Sequence, residues 1–338
     1  MKFLNKISKK VNQITYKNIL SETISNIKAN LKYTKRCNSI AALRKNKIEK
    51  IGVIVGSGPS LRKIDQTKYL KKFRKKFYLI ACDGALYYLL NKKIIPDLVV
   101  TLDPHPTRIV RWFGDKTLNL KTIQKDSYFR RQDLEIKFKN ELKSNREMIR
   151  LFDRYDKKIG IAICSSSSKS VVKRLISSKA KLFWWNPFLD DTEAKNSLSR
   201  KIYNLNKLPL VNTGGNVGSA SWMIADQVFN FKNIVLLGMD YSYFFDTPLI
   251  STQYYDAIKK ISDNEREVRK FYKKIFNPFL KKNFYTDHVY LWYRNNFFEM
   301  IENTNSKTIN CSQAGILFNN KVQWTSLEKF CTKTFKNG

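Results

Sequence analysis

The order of apolar and polar positions divides the chain into three stretches. In the first, Ile7, Val11 and Ile14, then Leu20, Ile24, Ile27 and Leu31, recur at intervals of three or four, the spacing that lines one face of a helix. Lysines fill much of the remaining surface, so residues 1–50 are predicted as a helical N-terminal extension that packs on the body of the protein. From residue 51 short β-branched runs alternate with amphipathic segments, the signature of βαβ units. Strands are predicted at Ile51–Val55, Phe77–Ala81, Asp97–Leu102, Ile159–Cys164, Lys181–Trp185, Leu208–Val211, Asn233–Leu237 and Lys307–Cys311, with helices starting near Leu61, Ala85, Ser168 and Val217. The expected fold class is α/β: a Rossmann-like, mainly parallel sheet with flanking helices over residues 51–250. Residues 251–338 are expected to add a C-terminal helical cover and a closing strand. Two segments are less regular. Residues 112–158 are polar and poorly periodic and read as an insertion, and 252–306, rich in Lys, Tyr and Phe, read as a helical stretch over the mouth of the sheet.

Composition adds two constraints. With 338 residues, 43% of them hydrophobic, the chain can bury a substantial core. It has no run of eighteen apolar residues, and its first ten residues, M-K-F-L-N-K-I-S-K-K, lack a continuous apolar block, so a cytoplasmic location is expected. The five cysteines, Cys37, Cys82, Cys164, Cys311 and Cys331, are widely spaced without metal-ligand patterning and read as reduced thiols. A formal net charge of +35 favours acidic partners in general. The basic residues are dispersed and match no nucleic-acid-binding motif, which argues against a nucleic-acid partner. Peripheral contact of the basic N-terminus with an anionic membrane stands as an alternative to its packing on the main domain.

Four motifs carry candidate chemistry. Gly56-Ser57-Gly58-Pro59-Ser60 follows an apolar strand and precedes Leu61, an arrangement that lets backbone and helix amides approach a phosphate, with Ser60 as N-cap. A tight strand-to-helix turn without a ligand is the other reading, and no G-K-S/T follows to make a Walker loop. Asp83-Gly84 and Asp103 fall at the ends of the next two strands, where α/β sheets bind ligands; such carboxylates bind ribose hydroxyls, a base edge or Mg²⁺, or serve as turn residues. Thr213, Gly214, Gly215, Asn216 and Ser219 form a second glycine-rich helix start, followed after a strand by Gly238 and Asp240. His288, one of two histidines, is either a proton acceptor or a structural residue. No G-x-S-x-G elbow accompanies it to support a Ser-His-Asp triad.

The succession G-S-G-P-S-L, D-G-A-L-Y-Y-L-L-N-K-K-I-I-P-D-L-V-V-T-L-D, G-G-N-V-G-S-A, I-V-L-L-G-M-D and T-I-N-C-S-Q-A-G resembles the family that groups motility accessory factor (Maf) flagellin glycosyltransferases with MptE-like 6-hydroxymethylpterin diphosphokinases. The chain is more distantly similar to Campylobacter-type sialyltransferases. That likeness implies donor contacts at Ser57 and Asp83, nucleotide contacts at Gly214 to Ser219, leaving-phosphate contacts near Tyr241 and Tyr243, and a general base at His288. Ser57 and Asp83 stand where the sialyltransferases carry Asn. The implied reaction is transfer of a nonulosonic acid from its CMP form to a protein or glycan acceptor, with no cofactor firmly implied. The family's alternative is pyrophosphate transfer from ATP, with Mg²⁺ on Asp83, Asp97 or Asp103, although Leu102-Asp103-Pro104-His105 lacks doubled acidic residues. A nucleotide-binding protein without catalysis is the third reading.

Overall fold

The computed structural model describes residues 20–35, 37–45, 50–125, 141–302 and 304–335. Nine strands make one parallel sheet: β1 (Ile51–Val55), β2 (Phe77–Cys82), β3 (Leu98–Thr101), β4 (Gly160–Cys164), β5 (Lys181–Pro187), β6 (Leu210–Val211), β7 (Asn233–Leu237), and two later additions, Lys307–Asn310 and Val322–Trp324. All eight predicted strands are present, with small shifts at their ends. The order across the sheet is Val322–Trp324, Lys307–Asn310, β7, β1, β2, β3, β4, β5, β6. The chain thus builds outward from β1 to β6, then returns to lay β7 on the other side of β1. That reversal creates a topological switch point between β1 and β7.

The central strands are buried on both faces, which explains their continuous Val/Ile/Leu character. Alternate residues serve opposite layers. Val53, Val55, Leu79, Val99, Ile161, Val235 and Leu237 face one core, built with helices Leu86–Asn91, Glu141–Tyr155, Lys169–Ile176 and Leu327–Phe335. Ile54, Ile80, Val100, Ala162 and Leu236 face the other, with helices Val217–Gln227 and His288–Glu302. Within it Trp222 donates to Thr308 Oγ1 at 3.1 Å and meets Phe297 edge-on at 5.6 Å.

The helix over 20–34 packs against the body on a face turned somewhat from the predicted one, with Ile27 common to both. Its buried positions are Thr23, Ile27, Asn30 and Thr34, while Ile24 and Leu31 are half-buried. The polar content of that face follows from what it meets. Asn30 donates to the carbonyls of Ser165 and Ser167 at 2.9 and 2.8 Å, and Asn26 to those of Pro104 and Ser166 at 3.0 Å. The helix therefore satisfies loop carbonyls at the ends of β3 and β4. The predicted face at Ile7, Val11 and Ile14 lies outside the described residues.

The segment 252–306 corrects the expectation of a helical stretch. It contains an antiparallel hairpin of β9 (Tyr272–Asn277) and β10 (Lys282–Asp287), joined through β10 to β8 (Tyr243–Phe244). Helices Tyr255–Lys259, Glu265–Lys270 and His288–Glu302 flank it. Residues 112–158 hold a 3-10 turn ending at Phe113 and helices Leu120–Lys125 and Glu141–Tyr155, and 126–140 lie outside the described residues. The closing strand Lys307–Asn310 is followed by an unpredicted neighbour, Val322–Trp324. Among the described residues no helix is long and apolar enough to cross a membrane.

Candidate functional site

At the carboxyl ends of β1, β2, β3 and β7 lies a cavity of about 300 Å³, where an open α/β sheet with a switch point binds its ligands. The turn after β1 and the turn after β7 meet at its base. The Gly56 amide donates to Leu237 O at 2.7 Å and that of Gly58 to Gly238 O at 2.8 Å. A Cβ on Gly56 stands 2.5 Å from Gly238 O, and one on Gly58 2.6 Å from the same atom. Gly238 has φ +65°, and its own Cβ falls 2.4 Å from Gly56 O. These glycines are required because two backbones touch.

Asp240 completes this contact. It is buried, and its carboxylate accepts from the Ser60 amide at 2.7 Å and from the Ser60 hydroxyl at 2.5 Å. Burial pushes its carboxyl up to about 6, with the two Ser60 bonds pulling the other way. The cap position of the short helix Ser60–Lys63 is Pro59, not Ser60. The amides of Gly56, Gly58 and Ser60 are thus all engaged within the protein. The turn still borders the cavity from Gly56 to Pro59, with Ser57 its most exposed residue.

The second glycine loop is anchored from outside. Asn216 caps helix Val217–Gln227, accepting from the Ser219 amide at 3.0 Å and donating to its hydroxyl at 2.9 Å. That hydroxyl in turn meets Tyr241 OH at 2.9 Å. A Cβ on Gly215 stands 2.6 Å from the rings of Trp292 and Tyr293, and one on Gly214 2.6 Å from Met300 Sδ, so helix His288–Glu302 clamps the loop. Thr213, Gly214 and Ser219 do not line the cavity, whereas Gly215, Asn216, Val217 and Gly218 do. The first amides of an α-helix have no intrahelical acceptor. At Val217 and Gly218 they sit beside the cavity.

The two strand-end carboxylates differ. Asp83 is buried, accepting from Thr101 Oγ1 at 2.8 Å and the Gly84 amide at 2.7 Å. Desolvation raises it to about 7, with the Asp103 charge a minor contribution in the same direction. Asp103 keeps an exposed surface at the cavity and accepts from the His105 amide at 2.8 Å. Desolvation raises its carboxyl above the ordinary range, while the His105 amide and Arg108 oppose the shift. Asp97 is not part of this site. At the opposite end of the sheet it accepts from the Leu79 amide at 2.7 Å and pairs with Arg74 at 2.9 Å. Asp83, Asp97 and Asp103 therefore do not form a metal set, and among the described residues no three His, Cys, Asp or Glu side chains cluster for one.

The aromatic wall is what sequence reasoning missed. Trp112, Tyr254, Tyr290 and Tyr293 line the cavity together with Gln253 and Tyr241. Tyr290 and Tyr293 sit three apart on one face of helix His288–Glu302, a spacing legible in the sequence. Asp287 starts that helix, accepting from the amides of Val289 and Tyr290 at 2.9 Å and from Tyr243 OH at 2.9 Å. Tyr243 does not line the cavity; its ring stacks on Tyr290 at 5.2 Å and its oxygen accepts from the Gln253 amide at 3.1 Å. It positions two residues that do. Tyr241 holds a left-handed backbone, φ +50°, which aims its hydroxyl at Ser219.

His288 also lies outside the cavity lining. Its ring packs against Phe271 at 5.5 Å. Burial, and then the charge of Lys273, lower its pKa and favour the neutral imidazole.

Residues 21–128 match the family model described as 6-hydroxymethylpterin diphosphokinase MptE-like. A search of curated proteins finds no match. Among solved structures, the fold is similar to that of the Maf glycosyltransferase from Magnetospirillum magneticum AMB-1. The TM-score is 0.50 at 14% identity over 86% of this chain, which spans 38% of that one. The matched segment holds the first glycine turn, Asp83 and Asp103, and the likeness to the solved structure is one of fold.

Proposed function

We propose that the chain is a glycosyltransferase that takes a nucleotide-activated sugar in the switch-point cavity, with a CMP-activated nonulosonic acid as donor and a hydroxyl of a protein or glycan as acceptor. The observation that carries this reading is the composition of the cavity. It is lined by the start of helix Val217–Gln227, Ser57, Tyr241, Asp103, and the rings of Trp112, Tyr290 and Tyr293. The helix start suits the donor phosphate. The aromatic rings suit a base or sugar face, and an excess of positive charge over the whole chain draws an anionic donor inward.

In this reading the acceptor oxygen attacks the anomeric carbon as the bond from that carbon to the phosphate oxygen breaks. Asp103 takes the acceptor proton, and cytidine monophosphate leaves with the bonding electrons. Amides at Val217 and Gly218 and the Tyr241 hydroxyl stabilise the departing charge. Asp103 replaces His288 as proton acceptor because it borders the cavity and His288 does not.

Pyrophosphate transfer from ATP is the second reading, favoured by the family match over residues 21–128. The carboxylates present do not fit a magnesium site built from Asp83, Asp97 and Asp103, since Asp97 is remote and both Asp83 oxygens are engaged. Donor turnover in two variants tests the base assignment. Asp103→Asn is expected to lower transfer by about 10²-fold or more, while His288→Gln retains most of it. The opposite pattern returns the role to His288, and turnover of ATP in place of the CMP-sugar establishes the second reading.

A further inference from the structure

The face of the small sheet turned away from the body is aromatic and basic. The hairpin register sets Lys274 opposite Tyr285 and Phe276 opposite Asn283, while the alternate residues Ile275 and Phe284 pack inward. Phe245, 46% exposed, stacks on Tyr285 at 4.5 Å, and the Lys274 ammonium stands over its ring at 5.2 Å. At the tip Phe279 stacks on Trp324 at 5.3 Å with 7° between planes. Phe276 and Phe279 are each 54% exposed. The tip is held in place by Asn277, whose side chain accepts from the amides of Phe279 and Leu280 at 2.9 and 3.1 Å and donates to Gly315 O at 2.8 Å. Residues 272–286 carry four lysines and no acidic residue; Lys274 lies on this face and Lys281 at the tip, whereas Lys273 and Lys282 alternate to the side of Ile275 and Phe284.

We propose that this face docks on an anionic lipid bilayer, with Phe276 and Phe279 entering the headgroup region and Lys274 and the tip lysine Lys281 lying against lipid phosphates. Charge selects this occupant: a second copy would set the same lysines against each other, whereas an anionic surface neutralises them. Ring geometry separates a bilayer from a single-stranded nucleic acid. Base stacking needs open ring faces, but one face of Phe279 is covered by Trp324, and Phe245 lies between Tyr285 and Lys274. Ring edges beside lysines suit the interfacial layer of a membrane. Because Asn277 fixes the tip, little conformational freedom is lost on docking. The proposal is independent of the transfer reaction.

Co-sedimentation of the full chain with vesicles tests it. Wild type is expected to bind phosphatidylcholine vesicles containing phosphatidylglycerol and to leave pure phosphatidylcholine vesicles largely unbound. Phe276→Ser with Phe279→Ser, and separately Lys274→Glu with Lys281→Glu, should each lower partitioning, the charge pair by about fivefold per lysine or more at low salt. Lys201→Glu with Lys207→Glu, equally exposed but on helix Leu198–Asn206 and its cap, controls for general charge. Equal losses from the hairpin and control lysines overturn the proposal, as does wild-type binding by the Phe276/Phe279 variant. Loss of single-stranded oligonucleotide binding in the hairpin variants with vesicle binding intact also overturns it.

Discussion

Asp240 is the residue whose substitution reports most clearly on how the switch point is built. Its carboxylate is buried, held only by the Ser60 amide and hydroxyl, and raised from 3.8 to about 6 by desolvation. A carboxyl whose pKa is higher in the fold than in the unfolded chain contributes most below the unfolded value. It loses that contribution as pH rises through the folded one. A shift of this size corresponds to about 3 kcal/mol in full, of which roughly 1–2 kcal/mol falls between pH 5 and pH 8. Asp240→Asn keeps the shape and one acceptor for the Ser60 amide but cannot ionise. Urea unfolding of both proteins across that range, followed by tryptophan fluorescence, isolates the group, because other titrations are common to the two curves. The stability of wild type relative to Asp240→Asn should fall by roughly 1–2 kcal/mol from pH 5 to pH 8. A flat difference, or wild type gaining on the variant as pH rises, refutes the claim that an ionised Asp240 is a net cost.

Three further outcomes follow from the same geometry. Gly238→Ala forces a side chain into φ +65° and 2.4 Å from Gly56 O, with backbone on both sides, and should lower unfolding free energy by at least about 2 kcal/mol; a Tm within a degree of wild type contradicts this. Asn30→Ala removes two buried bonds to Ser165 and Ser167 and should cost about 1–3 kcal/mol, read as a lower Tm and faster proteolysis in residues 20–34. Transfer by wild type should fall on the acid side with a pKa above the ordinary carboxylate value, because Asp103 must be ionised to accept a proton and its pKa is raised; a profile with no acid limb at that position removes Asp103 from the reaction.

Strand runs such as Ile51–Val55 and Asn233–Leu237 were legible because strands buried on both faces leave uninterrupted apolar sequence. The hairpin was hidden for the opposite reason. In Y-K-K-I-F-N and K-N-F-Y-T-D only one face is buried, and its outer face carries lysine and phenylalanine, so the period of two is blurred. At the site, the glycine turns announced themselves, but their role needed coordinates. Gly56, Gly58 and Gly238 are explained by backbone contact, and Gly215 by Trp292 and Tyr293. Sequence could not tell these from glycines that make room for a phosphate. Nor could it show that Asp240 occupies the Ser60 amide, or that Asp97 caps the wrong end of its strand. Tyr290 and Tyr293 were visible at helical spacing, and only the fold turns that spacing toward the cavity.

In the proposed function the cavity between the turns after β1 and β7 holds the donor nucleotide against the tyrosine wall. Calorimetric titration of cytidine monophosphate into wild type and Tyr293→Ala tests it most directly. Saturable one-site binding to wild type is expected, weakened about tenfold or more by loss of the ring, since stacking on an aromatic is worth about 1–3 kcal/mol. Absence of binding, equal affinity in the two proteins, or binding of ATP with Mg²⁺ in place of cytidine monophosphate contradicts it.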